Sequence, residues 1–200
     1  PPRAIVALAA PRSAEAVADV MAIWRSGAVY LPLDHNAPRS WLQHAIADAA
    51  PAALLVATSS MAAIEYDVPT ICIETARVLP RQVDARRCAT ASTDVACAPA
   101  GTLYLIYTSG SSGRPKAVLG TRRGLATRFA WMLRAYPFRR RDEVCAARCA
   151  HSFIDSLWET FGPLQARVPV VLFADDLLRT SPDRLVRSLQ AWRVSRCVLV

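Results

Sequence analysis

Short apolar runs alternate with stretches of helical periodicity along most of this chain, and no other feature limits its fold so strongly. Ile5-Val6-Ala7-Leu8 reads as a buried strand. Ser13 then offers an N-cap, Glu15 sits in the first turn, and Val17, Val20, Met21 and Trp24 fall at i, i+3, i+4 and i+7 on one apolar face. Gly27 stands where a C′ glycine ends such a helix. Strands over Ala28–Leu31, Ala53–Val56 and Thr70–Ile73 follow, with a helix over about Pro38–Ala49 presenting Leu42, Ala45, Ile46 and Ala49. The order then resumes with a strand over Leu103–Tyr107 and a helix over roughly Gly124–Arg134, whose face is Leu125, Phe129, Met132 and Leu133. A short strand near Val144–Ala146, a helix marked by Leu157, Phe161 and Leu164, and a strand over Val168–Phe173 come next. Ser181-Pro182-Asp183 starts a last helix with Leu185, Val186, Leu189 and Trp192 on its apolar side. The pattern predicts an α/β fold: parallel-sheet-rich layers with flanking helices. Residues 1–79 form a first α/β portion, residues 80–100 an exposed connector of little periodicity, and residues 101–200 a second α/β portion.

Composition narrows the function classes. Hydrophobic residues make up 53% and charged residues 20%, enough for a packed core and too apolar for a disordered tail. No run of about 18 apolar residues occurs, so no transmembrane helix is expected. The 24 Lys and Arg outnumber the 16 Asp and Glu, leaving a net charge of +8. The densest basic runs, Arg86-Arg87, Arg122-Arg123 and Arg139-Arg140-Arg141, carry no interleaved aromatics. They read as solvated helix ends and loops and not as a nucleic-acid surface. A positive field also suits a polyanionic small substrate such as a nucleotide. The six cysteines form no CxxC pair and no Cys/His zinc spacing, so no metal site is expected and a reducing cytoplasm is the anticipated location. The chain opens Pro1-Pro2-Arg3 without Met and closes inside Cys197–Val200, which reads as a piece of a longer chain.

The segment with the most chemistry is Tyr107-Thr108-Ser109-Gly110-Ser111-Ser112-Gly113-Arg114-Pro115-Lys116. It leaves a buried strand and gathers four hydroxyl side chains and two glycines within six residues. Glycine lets successive N–H groups converge on one concavity, an anion nest, and Lys116 adds a full positive charge. Pro115 stiffens the way out. The spacing is not that of a Walker A loop, since Lys116 lies three residues beyond Gly113. A flexible surface loop is the alternative that composition alone leaves open.

At these residues the sequence resembles the adenylate-forming superfamily of acyl-CoA synthetases, luciferases and nonribosomal peptide synthetase adenylation domains, whose signature is Y-T-S-G-[ST]-T-G-x-P-K-G. Ser112 stands where that signature has Thr, and Ala117 where it has Gly. Trp24–Asp34 resembles the family's L-K-A-G-x-A-Y-V-P-L-D segment, to which a structural role is assigned, and Phe153–Glu159 resembles F-D-x-S-x-W-E. Gly120–Pro137 is most similar to the branch containing β-alanine-activating and aminoadipate-type enzymes. The resemblance implies part of the large N-terminal domain of such an enzyme.

It also implies a reaction. A carboxylate attacks the α-phosphate of Mg²⁺-bound ATP, giving an acyl-adenylate and pyrophosphate, and coenzyme A or a carrier's phosphopantetheine then takes the acyl group. By the same resemblance Thr108, Ser109, Gly110, Ser111, Ser112, Gly113 and Lys116 hold the phosphates, with Lys116 catalytic. Phe153, Ile154, Asp155 and Trp158 match the start of the acid pocket. Relatives that take α-amino acids have a carboxylate directly after the Phe; here that residue is Ile154, with Asp155 one further on. Asp155 is expected either to meet an amine farther from the reacting carboxylate, as in a β-amino acid, or to cap the helix starting near Ser156. His151 borders the pocket or is a hydrogen-bonded structural residue, and Trp158 is pocket wall or core. No Y-G-P-T-E-like or S-G-D segment and no C-terminal catalytic lysine occurs in the 200 residues. Alone, this piece is expected not to complete adenylation; the alternative is a truncated remnant that at most binds phosphate. The expected partners are ATP, a small carboxylic or amino acid and a carrier domain, with no nucleic acid and no membrane span.

Overall fold

The structure, a computed structural model, describes residues 3–57, 68–73, 98–109, 115–139, 144–174 and 182–198. It divides into two compact units, one made of Pro1–Ala10 and Ala18–Arg122 and the other of Pro11–Val17 and Arg123–Val200.

The first unit is built on a six-stranded sheet. Its elements are β1 (Ile5–Ala9), α1 (Ala14–Arg25, which begins in the second unit's segment), β2 (Val29–Pro32), α2 (Arg39–Ala49), β3 (Ala53–Val56), β4 (Thr70–Cys72), β5 (Thr102–Thr108) and β6 (Lys116–Thr121). The strand order is β4-β3-β1-β2-β5-β6. Every neighbouring pair is parallel except β5 and β6. The expected parallel-rich α/β fold is therefore the one found. Parallel strands covered on both faces read as continuous apolar runs, as β1 and β2 do. Ala7, Ala9, Val29, Leu31, Leu54 and Val56 pack in one core with Leu42, Ala45, Ile46 and Ala49, the face expected of α2.

Three differences from the sequence reading have plain causes. The first is β6, a strand that was not anticipated. It is an antiparallel partner of β5 whose residues are exposed except Gly120, and its apolar run Ala117-Val118-Leu119 is only three residues long and does not alternate. Gly120 lies opposite Tyr104, and a Cβ there would come within 1.8 Å of the tyrosine ring, so no other residue fits without moving it. The second concerns α1, where Ser13 Oγ accepts the Ala16 N–H at 3.1 Å as an N-cap should. Its buried residues are Ala16, Val20 and Ile23, whereas Met21 is 48% exposed. The buried stripe is thus rotated about one residue from the expected one. The third is the connector: residues 80–97 lie outside the described residues, and Ala98 is buried in the core rather than exposed.

The second unit holds α3 (Arg122–Ala135, entering from the first unit's last residue), β7 (Cys145–Ala147), α4 (Ile154–Gln165), β8 (Val170–Leu172) and α5 (Pro182–Ala191). β7 and β8 pair in parallel, and Arg196 bridges to Cys145. The apolar stripe expected of α5 is not packed away, since Val186 and Trp192 are 50% and 61% exposed. Periodicity identifies a helix and its stripe; it does not supply a partner. Among the described residues no helix is long and apolar enough to cross a membrane.

Candidate functional site

In the first unit, the sheet brings the two ends of the hydroxyl-rich turn together. Thr108 closes β5, Lys116 opens β6, and the two are register partners. Thr108 Oγ1 donates to the Lys116 carbonyl at 3.4 Å. Thr108, Ser109 and Lys116 are all exposed, so a hydroxyl, a second hydroxyl and an ammonium are offered to solvent where the strands end. Gly110, Ser111, Ser112 and Gly113 lie outside the described residues.

Three side chains of α2 reach the residues on either side of this turn. The Tyr107 hydroxyl donates to Asp48 Oδ2 at 2.6 Å, and the Tyr107 ring meets Trp41 edge to face with centroids 6.0 Å apart. His44 Nε2 lies 3.3 Å from the Pro115 carbonyl oxygen. Burial, and then the hydrogen bond and charge of Asp48, push the Tyr107 phenol well above its ordinary range and keep it protonated as the donor.

In the second unit, Phe153 sits at the N-cap of α4 with no side-chain cap, and it is 52% exposed. Ile154 is half-buried. Asp155 does not cap the helix: it occupies the first turn, past the position from which a side chain reaches the free N–H groups. Its carboxylate instead pairs with the Arg128 guanidinium of α3. Ser156 Oγ donates to the Phe153 carbonyl at 2.6 Å. Trp158 is buried, edge to face with Phe129 at 5.3 Å and stacked on Phe138 at 6.0 Å. Gly162 makes room for it, as a Cβ there would come within 2.7 Å of the indole.

Glu159 follows Trp158 and is 2% exposed. Its Oε2 accepts the backbone N–H groups of Arg148 at 2.8 Å and Cys149 at 2.6 Å, the segment just after β7. Burial, then the Glu159 charge and hydrogen bond, push the Cys149 thiol up to about 12. His151 lies half-buried between this segment and α4 in the chain. Among the described residues no group of three or more His, Cys, Asp or Glu could hold a metal ion.

Sequence reasoning did not single out Arg128, His44 or Asp48. Arg128 had a signal: it falls at i+3 from Leu125, beside Phe129, on the otherwise apolar face of α3. His44 and Asp48 are four apart and so share a helix face. Their partners lie 71 and 59 residues away in the chain, which no local pattern encodes.

The profile of the AMP-binding enzyme family matches residues 2–200. The chain is 34% identical over 191 residues to vanchrobactin synthetase VabF of Vibrio anguillarum, which covers 96% of this chain and 6% of that protein. It is 27% identical over 197 residues to the beta-alanyl-bioamine nonribosomal peptide synthetase ebony of Drosophila melanogaster, covering 98% of this chain and 22% of that one. Among solved structures, a four-domain nonribosomal peptide synthetase, holo-AB3403 bound to AMP and glycine, superposes with a TM-score of 0.77 at 26% identity, over 97% of this chain and 14% of that one. The chain thus spans less than a quarter of each of these proteins.

Proposed function

The chain belongs to the AMP-binding enzyme family, and from that premise we propose that it carries the phosphate turn and the start of the acid pocket of an adenylation domain within a longer enzyme. That enzyme activates a carboxylic or amino acid. A carboxylate oxygen attacks the α-phosphorus of ATP, the bond to the pyrophosphate oxygen breaks, and an acyl-adenylate and pyrophosphate result. A coenzyme A or phosphopantetheine thiol then displaces AMP to give a thioester. A cytoplasmic setting and a carrier domain in the whole protein belong to the same reading.

The observation that carries the proposal is the placement of Thr108 and Lys116 as exposed register partners at the mouth of the turn. Fixed donors there stabilise negative charge that spreads over the transferring phosphates. Thr108, Ser109, Gly110, Ser111, Ser112, Gly113 and Lys116 hold the β- and γ-phosphates, and the ammonium of Lys116 follows the charge onto departing pyrophosphate. Mg²⁺ bound with the nucleotide neutralises further phosphate charge. Phe153, Ile154, Asp155 and Trp158 begin the acid pocket, with Trp158 as its buried support. The Asp155–Arg128 pair gives that region a carboxylate whose charge is already matched. An acid with an uncharged remainder suits this better than one whose ammonium must compete with a guanidinium.

The test is product analysis of the full-length enzyme given ATP, Mg²⁺, coenzyme A or its phosphopantetheine-loaded carrier as thiol acceptor, and a panel of α-amino, β-amino and simple carboxylic acids. Acid-dependent AMP and pyrophosphate in equal amounts are expected. ADP and phosphate, or no acid-dependent turnover, would overturn the proposal.

A further inference from the structure

α2 touches both sides of the phosphate turn through side chains that nothing in the reaction itself requires. Its inner face, Leu42, Ala45, Ile46 and Ala49, is locked into the core of the first unit. Its other side presents His44 and Asp48 one helical turn apart. Asp48 takes the hydroxyl of Tyr107, the residue before Thr108, at 2.6 Å. His44 bonds the carbonyl of Pro115, the residue before Lys116, at 3.3 Å; an oxygen there can only accept, so Nε2 carries the proton. Trp41 holds the Tyr107 ring from its edge.

We infer that His44 and Asp48 are positioning residues for ATP: a helix anchored in the core pins the residue ahead of Thr108 and the residue ahead of Lys116, and so steadies the hydroxyl and ammonium ends of the turn that the β5–β6 register pairs. This rests on the reading of that turn as a phosphate site. The physical ground is pre-organisation, because donors already held at the right separation need not be ordered when the nucleotide binds. Neither side chain belongs to the packed core: Asp48 is exposed and His44 half-buried. A substitution there removes a hydrogen bond without opening a cavity.

The experiment is calorimetric titration of the full-length protein with MgATP and, separately, with adenosine, which lacks phosphates. His44→Ala and Tyr107→Phe should each raise the Kd for MgATP about three- to tenfold, the worth of one hydrogen bond. Tyr107→Phe keeps the ring against Trp41. The Kd for adenosine should stay within about twofold, a selectivity that a general loss of structure would not produce. His44→Gln, which keeps an N–H donor, should restore MgATP binding. Equal loss for both ligands, unchanged MgATP affinity in the variants, or failure of His44→Gln to restore it would overturn the inference alone. A wild-type protein that binds no MgATP would overturn the functional reading and this inference with it.

Discussion

The turn between β5 and β6 and the first turns of α4 both carry family-like motifs, yet they use them in opposite ways. At the turn, the motif residues Thr108, Ser109 and Lys116 face solvent, and their placement is supplied by others: the sheet register and α2. At α4, the motif residues are largely their own support. Trp158 and Glu159 are buried, Trp158 against aromatic rings and Glu159 through Oε2 on backbone N–H groups of the second unit, and Asp155 is matched by Arg128. A motif therefore does not say by itself whether its residues meet a ligand or hold the fold. Exposure and the partners of each polar atom decide that.

The sharpest way to break this contrast is to truncate Trp158. Trp158→Ala should cost about 3–5 kcal/mol of stability, since an indole packed between two aromatic rings leaves a cavity that its surroundings cannot fill. Chemical denaturation of the full-length protein checks it, and a loss near zero would put Trp158 on the ligand side of the comparison. Next is Glu159→Ala, which strands the backbone N–H groups of Arg148 and Cys149. A loss of about 1–3 kcal/mol is expected by the same measurement.

Removing that carboxylate also changes the thiol beside it. With its folded value raised from 9.0 to about 12, Cys149 keeps its proton longer than in the unfolded chain. Its contribution to stability is complete below about pH 9 and is lost as pH rises towards 12. Iodoacetamide at pH 8.5 should label Cys149 slowly in the native protein and faster in Glu159→Gln. Equal rates would show that the carboxylate does not govern the thiol.

The smallest stability effect is expected at Arg128. The Arg128 and Asp155 side chains are 37% and 21% exposed, so solvent screens the pair. Arg128→Met should change stability by no more than about 1 kcal/mol. Its larger consequence sharpens the comparison in a different way. Once the guanidinium is gone, the Asp155 charge is unmatched, and the ratio of amine-bearing to uncharged acids accepted should rise. An unchanged ratio would leave Asp155 a purely structural residue.

The elements most legible in the sequence were those whose signal is local. The apolar runs of β1, β2, β3 and β5, the Ser13 cap and the buried face of α2 needed no knowledge of the rest of the chain. Gly27, expected as a helix stop, has a φ of 79°. β6 was missed because its short apolar run does not alternate, and the close seat that Gly120 gives Tyr104 is visible only in the fold. The candidate phosphate residues were legible as a chemical type, hydroxyls and an ammonium after a buried strand. What holds them was not, because His44, Asp48 and Tyr107 meet only through the fold. The same holds at α4, where Asp155 was expected to meet a substrate amine or to cap the helix, and Arg128, its partner in the fold, lies 27 residues earlier.

The contrast rests most heavily on Lys116. ATP–pyrophosphate exchange by the full-length enzyme, with the acid that best supports AMP release, should fall about a hundredfold or more in Lys116→Ala, as for removal of a charge-stabilising donor, with the thermal midpoint unchanged. Exchange at the wild-type rate in that variant would contradict the account.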